Sequence, residues 1–288
     1  MPASTRAAAG ARPPDCMPTT VARLAALPPT AHHPVSQRGA AAVLVALFPA
    51  GPAATPHVLL TRRLATLSSH AGEVCLPGGR QDAADGGDDV VTALREAQEE
   101  VGLDAGRVAV LGTRPPVLSK HLLSVTPVVA TVQAGGDEGD GDLAARLGLA
   151  LNPDEVDAAF AVPLSIFVDG TPAAMPGPTL AACSYSFRDA RFGPGRAAPP
   201  FRLHFFEVVP SAACGGRPDG AAFTVWGLTA GVLIEVAAAA LGRPPSFQAG
   251  PDAAPGLVYD RIWVGEGGVP AVREAEEGEG EGEGEAAA

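Results

Sequence analysis

The chain has 288 residues, 47% of them hydrophobic but only 5% aromatic, so much of its apolar content is alanine and its core is smaller than the first figure implies. The net charge is −12 and Lys120 is the single lysine, which argues against a nucleic-acid backbone as partner, because affinity for it rests on clustered Lys and Arg. Four scattered cysteines, Cys16, Cys75, Cys183 and Cys214, form no CxxC pair and indicate neither a disulfide framework nor a cysteine zinc site, as suits a reducing compartment.

Residues 1–37 are rich in Ala, Pro, Arg and Thr, with Arg6, Arg12 and Arg23 against Asp15. Two readings stand: a mitochondrial or plastid transit peptide, or a disordered Pro/Ala leader. Without a transit peptide the alternatives are cytosol or peroxisome, although the Ala286-Ala287-Ala288 ending lacks a peroxisomal SKL pattern. One folded domain is expected over 38–250, followed by a disordered Gly/Glu-rich tail over 251–288 that carries much of the negative charge.

Within the domain, the apolar run AAVLVALF at 41–48 has the length of a buried strand, and HVLLTRR at 57–63 reads as a second, with Pro49-Ala50-Gly51-Pro52 as the turn between them. A short strand at 73–76 delivers the chain to a turn at Pro77-Gly78-Gly79. The next element is a helix: at about 100° per residue, Val90, Leu94, Ala97 and Val101 fall on one side and Glu96, Glu99 and Glu100 on the other. Asp88 or Asp89 caps its start and Gly102 ends it. A solvated acidic face is the ordinary meaning of such a pattern. Two terms oppose it. Acids at these spacings repel by roughly a few tenths of a kcal/mol per pair, and they sit in the last turns, where the helix dipole disfavours negative charge. A divalent cation removes both objections, since magnesium takes carboxylate oxygens and is completed by water and substrate phosphates.

Past the helix, 107–117 reads as a strand ending in Pro115-Pro116, Ser119-Lys120-His121 as a polar loop, 122–132 as a strand and the Gly/Asp stretch 135–142 as a mobile loop. Glu155 has two readings: an extra base or metal ligand near the glutamates, or an acid in the first turn of a helix, where the dipole favours it. Residues 168–200 read as loop-rich, 201–209 as a strand and 210–221 as a loop. An apolar helix then runs from Trp226 to about Leu241, packed on the sheet and stopped by Gly242-Arg243-Pro244-Pro245. No stretch is fit to span a membrane: 40–48 is too short and the run after Trp226 contains Glu235. This order of elements gives the α/β class.

Arg95-Glu96-Ala97-Gln98-Glu99-Glu100-Val101-Gly102-Leu103 resembles the second half of the Nudix box, R-E-U-x-E-E-x-G-U with U aliphatic. In the first half, counting from Gly79, Asp85 stands where the family has a glutamate, and two residues are added before Arg95. Ahead of the box, Leu59-Leu60-Thr61-Arg62-Arg63 and Ser69 to Gly79 resemble the extra signature of the coenzyme A diphosphatase branch. Arg63, His70, Gly72 and Pro77 to Gly79 match it, while Leu64 replaces a small residue and Ser68 stands where some members carry a second arginine. Ser119 to Leu123 and Trp226 to Pro245 are similar to plant-type members.

The resemblance implies a Nudix α/β/α sandwich with a mixed β-sheet. It implies magnesium or manganese on Glu96 and Glu100, with Glu99 assisting and Gly79 presenting a carbonyl. Arg95 would orient the glutamates with Asp85 as its partner, and Glu99, then Glu155, would accept the proton of the attacking water. Arg62, Arg63, His70, Lys120 and His121 are the cations available for the phosphates of coenzyme A. The expected reaction is hydrolysis of the diphosphate bond of coenzyme A or acyl-CoA, with no nucleic-acid or membrane partner and a homodimer as one option. Two alternatives are carried: a hydrolase of ADP-ribose or NADH, and a non-catalytic Nudix-fold binding module whose acidic tail contacts a basic partner.

Overall fold

The computed structural model describes residues 15–28, 36, 38–51, 53–119, 121–135, 142–170, 179–191 and 200–248. Lys120, most of the expected loop 135–142, most of the leader and the tail over 251–288 lie outside the described residues.

In chain order the elements are α1 (Met17–Ala25), β1 (Ala40–Ala50), β2 (Thr55–Arg63), β3 (Val74–Cys75), β4 (Gly78–Arg80), α2 (Asp89–Val101), β5 (Val108–Thr113), β6 (Val117–Leu118), β7 (Ser124–Val132), α3 (Leu143–Leu147), β8 (Val156–Pro163), α4 (Ile166–Asp169), β9 (Leu180–Arg191), β10 (Pro200–Pro210), β11 (Phe223–Trp226) and α5 (Gly227–Leu241). The main sheet runs β3-β2-β1-β7-β5, with β8 also on β2, β4 also on β1 and β6 also on β7. It is mixed, because β1 and β7 pair in parallel while the other pairs are antiparallel.

β1 is apolar throughout because both of its faces are covered. Leu44, Ala46 and Phe48 pack with Ala93, Ala97 and Val101 of α2, while Val45 and Leu47 join Leu233, Val236 and Ala237 of α5. The result is the α/β/α layering expected from the resemblance. A second sheet, β11-β10-β9, adds Phe206, Val208 and Phe223 to the α5 side, where Phe223 stacks on Phe160 at 3.9 Å.

Several expectations need correction. Residues 168–200 are not simply loop-rich, since β9 fills 180–191 and α4 ends at Asp169; Pro- and Gly-rich flanks mask a strand whose Cys183, Tyr185 and Phe187 alternate with Ser184 and Ser186. Glu155 does not begin a helix: it lies in the turn before β8. The leader over 1–37 is not disordered at 17–25. There α1 buries Met17, Thr20 and Leu24, Arg23 Nη1 donates to the Ala240 carbonyl at 3.3 Å, and Arg243 pairs with both Asp15 and Asp169. Pro18 reads as a breaker in sequence, but in the first helical turn it removes only an N–H that has no intrahelical partner.

Candidate active site

The loop before α2 is built by carboxylates. Asp88 caps the helix by accepting from the N–H groups of Val90 (2.8 Å) and Val91 (3.4 Å), and Gly102 closes it at φ 67°. Asp85, at the end of a single 3-10 turn over Ala83–Asp85, folds back under the helix to 4% exposure. It accepts from Arg95 Nε (2.9 Å) and Nη2 (3.0 Å), the Asp82 N–H (2.8 Å) and the Thr92 hydroxyl (2.9 Å). The two added residues therefore carry a short side chain to the guanidinium. The Arg95 hydrogen bonds, then the Asp82 N–H, hold the Asp85 carboxyl well below the usual range. Arg95 also reaches Glu99 at 2.9 Å, Glu96 at 3.1 Å and the Arg80 carbonyl at 2.9 Å.

The other end of the cluster differs. Glu100 is 1% exposed, so the three glutamates do not share one solvated face; Glu100 lies with Ala93 and Ala97 on the buried side of the helix. Its Oε2 accepts from the Gly78 N–H at 3.2 Å, and its Oε1 lies 3.5 Å from Arg63 Nη1. Burial pushes its pKa up to about 7; the Gly78 N–H and Arg63 pull it down, while the charges of Glu96 and Glu155 push it up. Glu96 is also raised, chiefly by burial. A Cβ on Gly79 would sit 2.5 Å from the Glu96 carboxylate, so glycine is what lets β4 approach α2 there.

Among the described residues no group of three or more His, Cys, Asp or Glu is already gathered as a metal-ligand cluster. The residues present nonetheless fit a hard divalent cation: all donors are oxygens, Glu100 is buried with raised proton affinity, and its neighbours repel it. Glu96, Glu100, Glu99 and the Gly79 carbonyl are the residues that would hold it. Glu155 belongs to the same region, since its charge raises both Glu96 and Glu100, and its carbonyl accepts from the Leu64 N–H at 2.8 Å at the end of β2.

Of the expected substrate cations, Arg63 is brought to the glutamates, and its Nε is buried with no hydrogen-bond partner among the described residues. Arg62 is not brought there. Although adjacent to Arg63 on β2, it pairs with Asp157 at 2.6 Å, lies over the Phe223 ring and lines a separate cavity of about 610 Å³. His70 and His121 meet each other rather than the glutamates, with Nε2 atoms 3.2 Å apart, and His70 Nδ1 contacts Glu73 at 2.5 Å. Glu73 and Thr92 are partners that the sequence reading missed; Glu73, three residues after His70, was the more findable.

The family model of the NUDIX domain matches residues 38–175. Nudix hydrolase 15, mitochondrial, from Arabidopsis thaliana is 36% identical over 207 residues, covering 72% of this chain and 60% of that protein. Nudix hydrolase 22, chloroplastic, from the same plant is 35% identical over 222 residues, covering 77% and 61%. An uncharacterized Nudix hydrolase NudL from Photorhabdus laumondii subsp. laumondii is 35% identical over 182 residues, covering 63% and 76%. The chain belongs to the Nudix hydrolase family. It spans about three fifths of the length of the two plant relatives.

Proposed function

We propose that the protein hydrolyses the diphosphate bond of coenzyme A and its thioesters, yielding 3′,5′-ADP and (acyl-)4′-phosphopantetheine. The observation that carries the reaction class is Glu100, a carboxylate at 1% exposure beside Glu96 and the Arg63 guanidinium. The Gly78 N–H and Arg63 offset the cost of burying that charge only in part, and a bound cation would offset the remainder. The coenzyme A assignment rests on the match of Arg63, His70, Gly72 and Pro77 to Gly79 to the branch signature.

Magnesium or manganese, when bound, supplies positive charge against the diphosphate and acidifies water beside it. The chain's own residues do the rest. Arg95, anchored on Asp85, fixes Glu96 and Glu99. Arg63 offers a guanidinium with a buried, unsatisfied Nε to the phosphate oxygens. A carboxylate takes the proton as the water oxygen attacks phosphorus; the bond to the bridging oxygen breaks and its electron pair leaves with the second phosphate. Because Arg95 engages Glu99 at 2.9 Å and the charge of Glu155 acts on both Glu96 and Glu100, we assign Glu155 as the proton acceptor and Glu99 as a ligand. The mitochondrial and chloroplastic plant relatives support an organellar destination, with the targeting segment confined to the residues ahead of α1.

The test is release of phosphopantetheine from coenzyme A with magnesium or manganese, run beside ADP-ribose and NADH on the full chain. Preferred cleavage of coenzyme A is expected. Faster cleavage of ADP-ribose or NADH would overturn the substrate, and no turnover of any of the three would overturn the hydrolase reading.

A further inference from the structure

We infer a second metal site, for a divalent cation of the zinc class, held by His70 Nε2 and His121 Nε2 between two loops, with Glu73 behind His70. The two histidines are 51 residues apart in sequence, yet their Nε2 atoms lie 3.2 Å apart with the rings nearly perpendicular at 88°. A tetrahedral zinc with bonds of about 2.0–2.1 Å to nitrogen sets neighbouring ligand nitrogens about 3.3 Å apart. The observed spacing suits an N–H···N hydrogen bond and equally lets both nitrogens ligate one ion with little movement of the rings.

The tautomer follows from Glu73. Its Oε2 lies 2.5 Å from His70 Nδ1, so the carboxylate accepts the Nδ1 proton and Nε2, the atom that faces His121, is the nitrogen that would ligate an ion. A carboxylate on the far nitrogen is also the usual support of a metal-ligating histidine, fixing ring orientation and raising basicity. Without an ion, an N–H···N hydrogen bond from His121 to His70 fills the gap.

The backbone adds an independent observation. Three non-glycine residues among those described have positive φ, and two of them, His70 at 54° and Leu122 at 63°, lie in these two loops. Such conformations cost energy and gather where a side chain must be aimed. Both loops are pinned: Gly72 N–H donates to the Arg63 carbonyl at 3.1 Å, Leu122 N–H to the Ser119 carbonyl at 2.8 Å and Leu123 N–H to the Ser119 hydroxyl at 3.0 Å. Two imidazoles select zinc, nickel or copper over magnesium, so this site and the glutamates take different ions. The inference does not rest on the identity of the substrate.

The full chain, in excess magnesium to occupy the glutamates, is titrated with zinc chloride in competition with a chromophoric chelator. The expected result is a site that persists in magnesium, is lost in His70→Gln and in His121→Gln, and is weakened about tenfold in Glu73→Gln. Absence of zinc binding in the wild type, or unchanged affinity in both histidine variants, would overturn it. A second measurement needs no variant. Zinc, and not magnesium, should protect His70 and His121 of the wild type from diethyl pyrocarbonate, read by mass spectrometry; equal modification with and without zinc would overturn the site.

Discussion

Asp85, just ahead of α2, and Glu100, in its last turn, are both almost completely buried, at 4% and 1% exposure, yet their proton affinities move in opposite directions. Around Asp85 the charge is answered: a two-pronged guanidinium, a backbone N–H and a hydroxyl consume its lone pairs. Around Glu100 it is answered only in part, by one long N–H contact and an arginine at 3.5 Å, with two further carboxylates adding repulsion. The first carboxylate is architecture. The second is a costly, partly answered charge, and it is the carboxylate that the proposed mechanism assigns to a cation.

The largest expected effect follows from removing the incomplete end. Glu100→Gln should lower turnover of coenzyme A by on the order of 10³-fold, corresponding to several kcal/mol of transition-state stabilisation. Steady-state kinetics at saturating magnesium checks this. At the complete end, Arg95→Met strands Asp85 and should cost about 2–3 kcal/mol in urea unfolding, near the low side for a broken buried pair, because Arg95 keeps 27% of its side chain in solvent.

The pH dependence sharpens the contrast. The folded pKa of Glu100, about 7, lies above its unfolded value near 4.5, so its destabilisation is complete above pH 7 and disappears as the native state takes up a proton on the way down to 4.5. Metal-free wild type should therefore gain about 2–3 kcal/mol relative to Glu100→Gln between roughly pH 8 and pH 5. Asp85 behaves in reverse: its pKa is depressed, so its stabilisation is present above the unfolded value and is lost only as pH falls through the still lower folded one. Denaturant titrations across pH read both. The smallest effect is at Gly79→Ala. The added Cβ pushes aside the end of a flexible Glu96 side chain, so stability should change by less than about 1 kcal/mol while turnover falls about tenfold through the displaced ligand.

Much of this arrangement was legible in the residues. The helix, its cap choice, the Gly102 stop and the strands around β1 and β2 follow from periodicity and turn chemistry, and the motif at 95–103 named the family. What periodicity misplaced was Glu100, because a helical wheel shows angle but not how far the neighbouring strands cover each face; β4 and the Arg63 end of β2 cover that one. The same limit applies to Arg62 and Arg63, adjacent cations at an irregularity of β2 that pair with different partners, Asp157 and Glu100. Contacts between distant segments, such as His70 with His121 or Asp15 with Arg243, leave no local pattern to read.

The most direct test of the central claim is the thermal stability of wild type and Glu100→Gln at pH 8, with and without magnesium. Glu100→Gln should be the more stable of the two without metal, and magnesium should raise the wild-type Tm by several degrees while leaving the variant nearly unmoved. An equal magnesium shift in both proteins, or a variant less stable than wild type in the absence of metal, would contradict the account.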